Sequence, residues 1–130
     1  MPSYNPKETE SHLVCVACGT QFEISERSAL KTCFICDDPR QYIPPPHQSF
    51  TTLAALRPSH RNTFTPFPNN PSFISITTTP KIAIGQRAIL IKTPVGNILW
   101  DCLTLLDDET ITEIKEKHGG LHGIVISHPH

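Results

Sequence analysis

The rhythm of apolar and polar residues along this chain predicts two folded ends joined by an extended middle. The first residues are polar, and 1–12 reads as a disordered leader. Residues 13–43 carry four cysteines among few large apolar side chains. Residues 44–72 read as a Pro-rich linker that opens on the stiff Pro44-Pro45-Pro46 hinge. Leu53 and Leu56, at i and i+3, predict a short helical turn over 51–56, and the prolines and asparagines of 57–71 predict an irregular connection. From 73 to 130 the pattern thickens into a second folded unit.

Within that unit, Phe73-Ile74-Ser75-Ile76 alternates as a strand, and Ala88-Ile89-Leu90-Ile91 is a dense apolar run. The Pro94-Val95-Gly96-Asn97 turn leads to Ile98-Leu99-Trp100-Asp101-Cys102, so the two runs read as a β-hairpin. Asp107 or Asp108 caps a helix over 109–117. Ile111 and Ile114 share its apolar face, Glu113 and Lys117 pair at i, i+4, and Gly119-Gly120 stops it. The composition of 121–126 predicts a strand buried on both faces. The class is therefore α+β, and no internal repeat is visible.

Composition narrows the function. The 130 residues allow one ordinary domain, or a small one joined to part of another. A net charge of −1 and a pI near 6.6 give no global case for nucleic acid or an anionic membrane. No apolar stretch approaches the ~20 residues of a spanning helix, and the polar N-terminus lacks the apolar core of a secretion signal. The expected compartment is cytoplasmic or nuclear, and there paired C-x-x-C motifs favour metal over disulfide.

Cys15-Val16-Ala17-Cys18 and Cys33-Phe34-Ile35-Cys36 carry the clearest chemistry. Each short spacing lets two thiolates reach one ion, and two such knuckles close a tetrahedral four-cysteine shell suited to structural Zn2+. Gly19 suits the tight turn after the first pair. A thioredoxin-like reading needs only one C-x-x-C beside a βαβ pattern, which is absent. A shell filled by four protein ligands holds structure together and leaves no position for substrate. Cys102, flanked by strand residues, reads as a buried core thiol.

Asp101, His128 and His130 fall near strand ends. Histidines at i and i+2 share one side of an extended chain, so both can face one metal, with Asp101 as a third contact or a group orienting an imidazole. The competing reading is a water-exposed His-Pro-His tail with Asp101 as a solvated turn acid. Gln86-Arg87, His118 and His122 can be read as substrate contacts, but Arg87 reads better as the start of a strand and the two histidines as solvated residues near a helix end. Phe64, Phe67 and Phe73 can be read as a peptide-like docking segment and read better as loop anchors on the core. No G-x-S-x-G, P-loop or dinucleotide fingerprint appears.

The stretch Gly85-Gln86-Arg87-Ala88-Ile89-Leu90-Ile91, the Trp100-Asp101 strand end and Gly123-Ile124-Val125-Ile126-Ser127-His128-Pro129-His130 resemble the N-terminal part of a metallo-β-lactamase-fold hydrolase. The upstream four-cysteine unit followed by Asp37-Asp38-Pro39-Arg40-Gln41-Tyr42 resembles a subgroup with an N-terminal zinc-binding segment. The resemblance implies an αββα sandwich, of which this chain holds the first part. It implies His128 and His130 as the first two ligands of an H-x-H-x-D-H motif and Asp101 as the acid supporting the site. The implied parent reaction is zinc-dependent hydrolysis of an ester, thioester or related bond in a small-molecule substrate that the sequence does not specify.

The later ligands of that motif would follow residue 130. The expectation is therefore a truncated member without a competent active site, since a catalytic zinc normally takes three protein ligands and an open position. The alternative is a non-catalytic zinc-ribbon module that binds a protein partner. Arg27, Lys31 and Arg40 are offset by Glu23, Glu26, Asp37 and Asp38, so nucleic acid is not favoured.

Overall fold

The computed structural model describes residues 5–43 and 47–127. His128 and His130, the Pro44–Pro46 hinge and the first four residues of the expected leader lie outside them. The rest of the leader is ordered, which corrects the expectation of disorder. Asn5 caps a one-turn helix, α1 (Pro6–Thr9). Behind it Glu10 pairs with Arg57 at 3.0 Å, its carbonyl accepts from the Ala54 amide, and Thr9 O accepts from Gln21 Nε2 at 2.9 Å. Polar composition concealed these partners because they come from distant parts of the chain.

The first region is built on β1 (Leu13–Cys15), paired antiparallel with β2 (Phe50–Thr52). Leu13, Phe22 and Leu30 pack with the four cysteines, and Phe50 closes the cluster against Phe22 in an edge-to-face contact at 6.2 Å. The Thr52 hydroxyl then caps α2 (Leu53–Leu56) by accepting from the Ala55 amide. That helix lies within the expected 51–56 turn.

The second region is a five-stranded sheet of order β3 (Arg61–Phe67), β4 (Asn70–Thr79), β5 (Arg87–Ile91), β6 (Ile98–Trp100) and β7 (Gly123–Val125). Its first four strands are antiparallel, and β6 and β7 run parallel. The β5–β6 hairpin and the strand at Phe73 are as expected. β3 is a correction, because 57–71 read as irregular. Residues 62 and 64 turn partly inward while 61, 63 and 65 are exposed, and Pro66 is accommodated because β3 is an edge strand with a register shift after it. One face of the sheet carries the core: Ile74 opposes Leu90, Ile76 opposes Ala88 and Leu90 opposes Leu99.

The connection from β6 to β7 contains α3 (Asp108–Thr112), capped by Asp107, whose carboxylate accepts from the Thr110 amide and hydroxyl. α3 widens into a π-helical turn over Glu113–Lys117, where Glu113 and Lys117 meet at 3.7 Å. Buried Asn97, at the start of β6, donates to His118 O and Gly120 O, and its own carbonyl accepts from the His122 amide. The helix end is thereby fixed to the sheet, and the chain is aimed into β7.

A third cluster joins the two regions. Val14 of β1, Leu53 and Leu56 of α2, Ile82 after β4 and Leu105 after β6 bury one another. The cysteine region is therefore packed onto the sheet.

Candidate metal centre

β1 ends at Cys15, and the chain turns back so that the Gly19 amide donates to Cys15 O at 2.8 Å. The second knuckle repeats the turn, with the Asp37 amide donating to Cys33 O at 2.9 Å. Gly19 takes φ +80°, which its lack of a Cβ permits. The two turns bring Cys15, Cys18, Cys33 and Cys36 together with all four Sγ atoms within 4.8 Å of one another and every one of these residues buried. Sγ of Cys15 lies 3.9 Å from that of Cys36, and Sγ of Cys18 lies 3.8 Å from that of Cys33. This group could hold a metal ion.

Three of the thiols depart from the ordinary cysteine value, in opposite directions. Hydrogen bonds from Cys15 and from the Thr20 hydroxyl, 3.1 Å away, bring Cys18 down to about 4 against the desolvation of its site. Burial, reinforced by that neighbouring thiolate, pushes Cys36 up to about 12. Cys15 is raised too, through its bond to Cys18 and then through burial. Thiolate is the form in which cysteine binds a metal. Around the sulfurs, Gln48 Oε1 accepts from the Cys33 amide at 2.8 Å and locks the second knuckle.

At the far end of β6, Asp101 has φ +66°, a left-handed conformation that Asp tolerates better than most residues. Its amide donates to Val125 O at 2.7 Å, and its Oδ1 accepts from both the amide and the hydroxyl of Ser127 at 2.8 Å. Asp101 is therefore bound to the tip of the parallel neighbour, one residue before His128. Asp101 is a half-exposed acid in a bend that also holds Ser127.

Other residues sit differently from expectation. Cys102 is exposed and borders a groove of about 480 Å³ between α3 and the sheet, lined mainly by apolar side chains such as Leu99, Leu103 and Ile114. Desolvation there, and then the Asp101 carboxylate, raise its pKa. The strand at 121–126 is shorter than expected and is not buried on both faces: β7 pairs on one side, and Ile124 and Ile126 are 57% and 59% exposed. Its apolar composition signals a neighbour, and the described residues supply one on the β6 side alone. His118 is mostly buried, stacked on Phe64 at 5.5 Å, and neither ring nitrogen has a hydrogen-bond partner among the described residues. His122 is exposed. Gln86 and Thr104 contact the backbone of the first knuckle, a role that nothing in their sequence neighbourhood signals.

No family model matches the chain, and no solved structure matches it. The uncharacterized protein YmaE of Bacillus subtilis strain 168 is 40% identical over 119 residues. The match takes in 92% of this chain but 43% of YmaE, so the chain spans less than half the length of that relative. Among the described residues, no helix is long and apolar enough to cross a membrane.

Proposed function

We propose that this chain is the zinc-stabilised N-terminal portion of a metallo-β-lactamase-like hydrolase and is inactive on its own. The parent activity in this reading is zinc-dependent hydrolysis of an ester, thioester or related bond in a small molecule. The observation that carries it is the pairing of Asp101 with Ser127 across parallel strand tips, directly ahead of His128-Pro129-His130. An acid held there is placed to orient what the next residues bind. His128 and His130 would be the chain's metal ligands, and Asp101 would hold the turn that presents them. Zinc at such a centre supplies Lewis acidity and an activated water. Two imidazoles alone fall short of the three protein ligands that a catalytic zinc takes, which is why this chain is inactive in the proposal.

In the same reading the four-cysteine group is a structural zinc site. A tetrahedron of Zn–S bonds of about 2.3 Å places sulfurs about 3.8 Å apart, and two of the sulfur pairs stand at 3.8 and 3.9 Å. The cytosol or nucleus, where thiols stay reduced, suits such a site.

The test is a metal count and an assay on two proteins. This chain should carry one zinc, lost on Cys15→Ser, and should hydrolyse nothing. Full-length YmaE should carry metal beyond that one zinc. It should also show chelator-sensitive hydrolysis on a panel of esters and thioesters. YmaE with one zinc and no hydrolysis would sink the enzyme reading. The second reading, a non-catalytic zinc-ribbon module that binds a protein partner, would then stand in its place, with the four-cysteine group as its metal site.

A further inference from the structure

We propose that Gln86 and Thr104 are positioning residues that clamp the first cysteine knuckle to the loop beginning at Asp101, so that metal held by the four cysteines sets the place of the Asp101 carboxylate. The clamp has two hydrogen bonds and one further polar contact. Gln86 Nε2 donates to Cys18 O at 2.5 Å, Thr104 Oγ1 contacts Gly19 O at 3.2 Å, and Thr104 Oγ1 donates to Gln86 Oε1 at 2.7 Å. Both knuckle carbonyls belong to the turn that must close for Cys15 and Cys18 to share an ion, so metal binding and the clamp favour the same backbone conformation.

A separate observation shows how closely the parts fit. A Cβ on Gly19 would stand 2.1 Å from Thr104 Oγ1 and 2.9 Å from Gln86 Oε1. Gly19 therefore serves the docking as well as the tight turn that its position in sequence suggests. On either side of Thr104, Leu103 packs against the sheet core and Leu105 is fully buried in the cluster that joins the two regions. Thr104 is held between two packed anchors, and two residues, Cys102 and Leu103, separate it from Asp101, a span of at most about 11 Å. Asp101 sits at φ +66° and depends on its surroundings to stay there. A shift of the knuckle thus has a short, stiff route to the bonds between Asp101 and Ser127.

This inference rests on the proposed role of Asp101, and its test needs neither hydrolysis nor metal at His128 and His130. Hydrogen exchange would be followed at the Asp101, Ser127 and Leu90 amides in the zinc-loaded full chain and in its Thr104→Val and Gln86→Leu variants, with zinc affinity measured by chelator competition. Each variant removes two of the three clamp contacts and should speed exchange at Asp101 and Ser127 by roughly fivefold, with Leu90, in the central strand, unchanged. Coupling is reciprocal, so zinc affinity should fall by a similar factor. Unchanged exchange at Asp101 and Ser127, or an equal acceleration at Leu90, would overturn the proposal. A normal metal count in YmaE with no effect at the clamp would spare the hydrolase reading and remove this one.

Discussion

Around the four cysteines the chain closes on itself, whereas along β7 it stays open. Cys15, Cys33 and Cys36 have no exposed surface, and their neighbours Leu13, Phe22 and Leu30 come from the same short stretch of chain. At the opposite end Ile124, Val125 and Ile126 are all exposed, next to an apolar groove under α3. The two regions solve the problem of a small core differently. Four sulfurs at one point replace many apolar contacts, so a short segment can complete its own shell. A sheet shields its faces and edges only by adding further strands or layers, and an unpaired apolar edge invites pairing.

The largest expected effect comes from breaking the closed end. In the proposed zinc-bound form, removing the metal, or Cys33→Ser, should take the metal content from one to none and abolish exchange protection in β1 and β2, since structural zinc binding is worth about 10–16 kcal/mol in small domains. Leu105→Ala strikes the junction between the regions. It should cost about 2–5 kcal/mol, and denaturation followed separately at the cysteine region and at the sheet should show both moving to lower denaturant together. Independent transitions would mean that the regions are joined more weakly than their shared core implies.

Asp101→Ala tests the tip. It removes the acceptor for Ser127 and places a less tolerant residue at φ +66°, so a loss of about 1–3 kcal/mol is expected in chemical denaturation. Asp101→Asn should recover part of it, because Asn tolerates the left-handed conformation and keeps one acceptor oxygen.

His118 adds a dependence on pH. Burial, and then Lys92, lower its pKa below the ordinary 6.5, with Lys117 acting the same way and Glu113 opposing. Below 6.5 the unfolded chain binds a proton that the folded chain resists, so stability present above 6.5 is lost as pH falls from there toward the depressed folded value. His118→Leu should flatten the stability profile over that window. The smallest change in stability, within about 0.5 kcal/mol, is expected for Ile124→Lys. The exposed apolar residues of β7 predict self-association in light scattering, which that substitution should reduce; no association, or association unchanged by it, would show that copies do not meet at β7.

Much of the secondary structure was legible because its signals are local. The β5–β6 hairpin follows from two apolar runs around Pro94–Asn97, and the Asp107 cap and the Glu113–Lys117 pair follow from spacing on one helix. β3 was hidden because threonine, proline and asparagine carry its alternation, and it becomes a strand by pairing with β4. Order in residues 5–12 was hidden for a similar reason: Arg57, Ala54 and Gln21 provide the contacts. The exposure of Cys102 and the burial of His118 depend on which faces the sheet and α3 present, and residue type does not report that.

By itself the sequence determined the four cysteines as a group, because two C-x-x-C turns have few ways to use four thiols in so short a segment. It also placed Asp101 at a strand end and apolar residues in what became β7. Only the tertiary structure decided that the first knuckle rests on Gln86 and Thr104, that Gly19 must be bare for them to reach it, and that Asp101 is tied to Ser127. Those contacts span 26 to 85 residues of chain. Local patterns specify turns, caps and faces; which distant carbonyl a glutamine or threonine meets is settled when the packed regions come together.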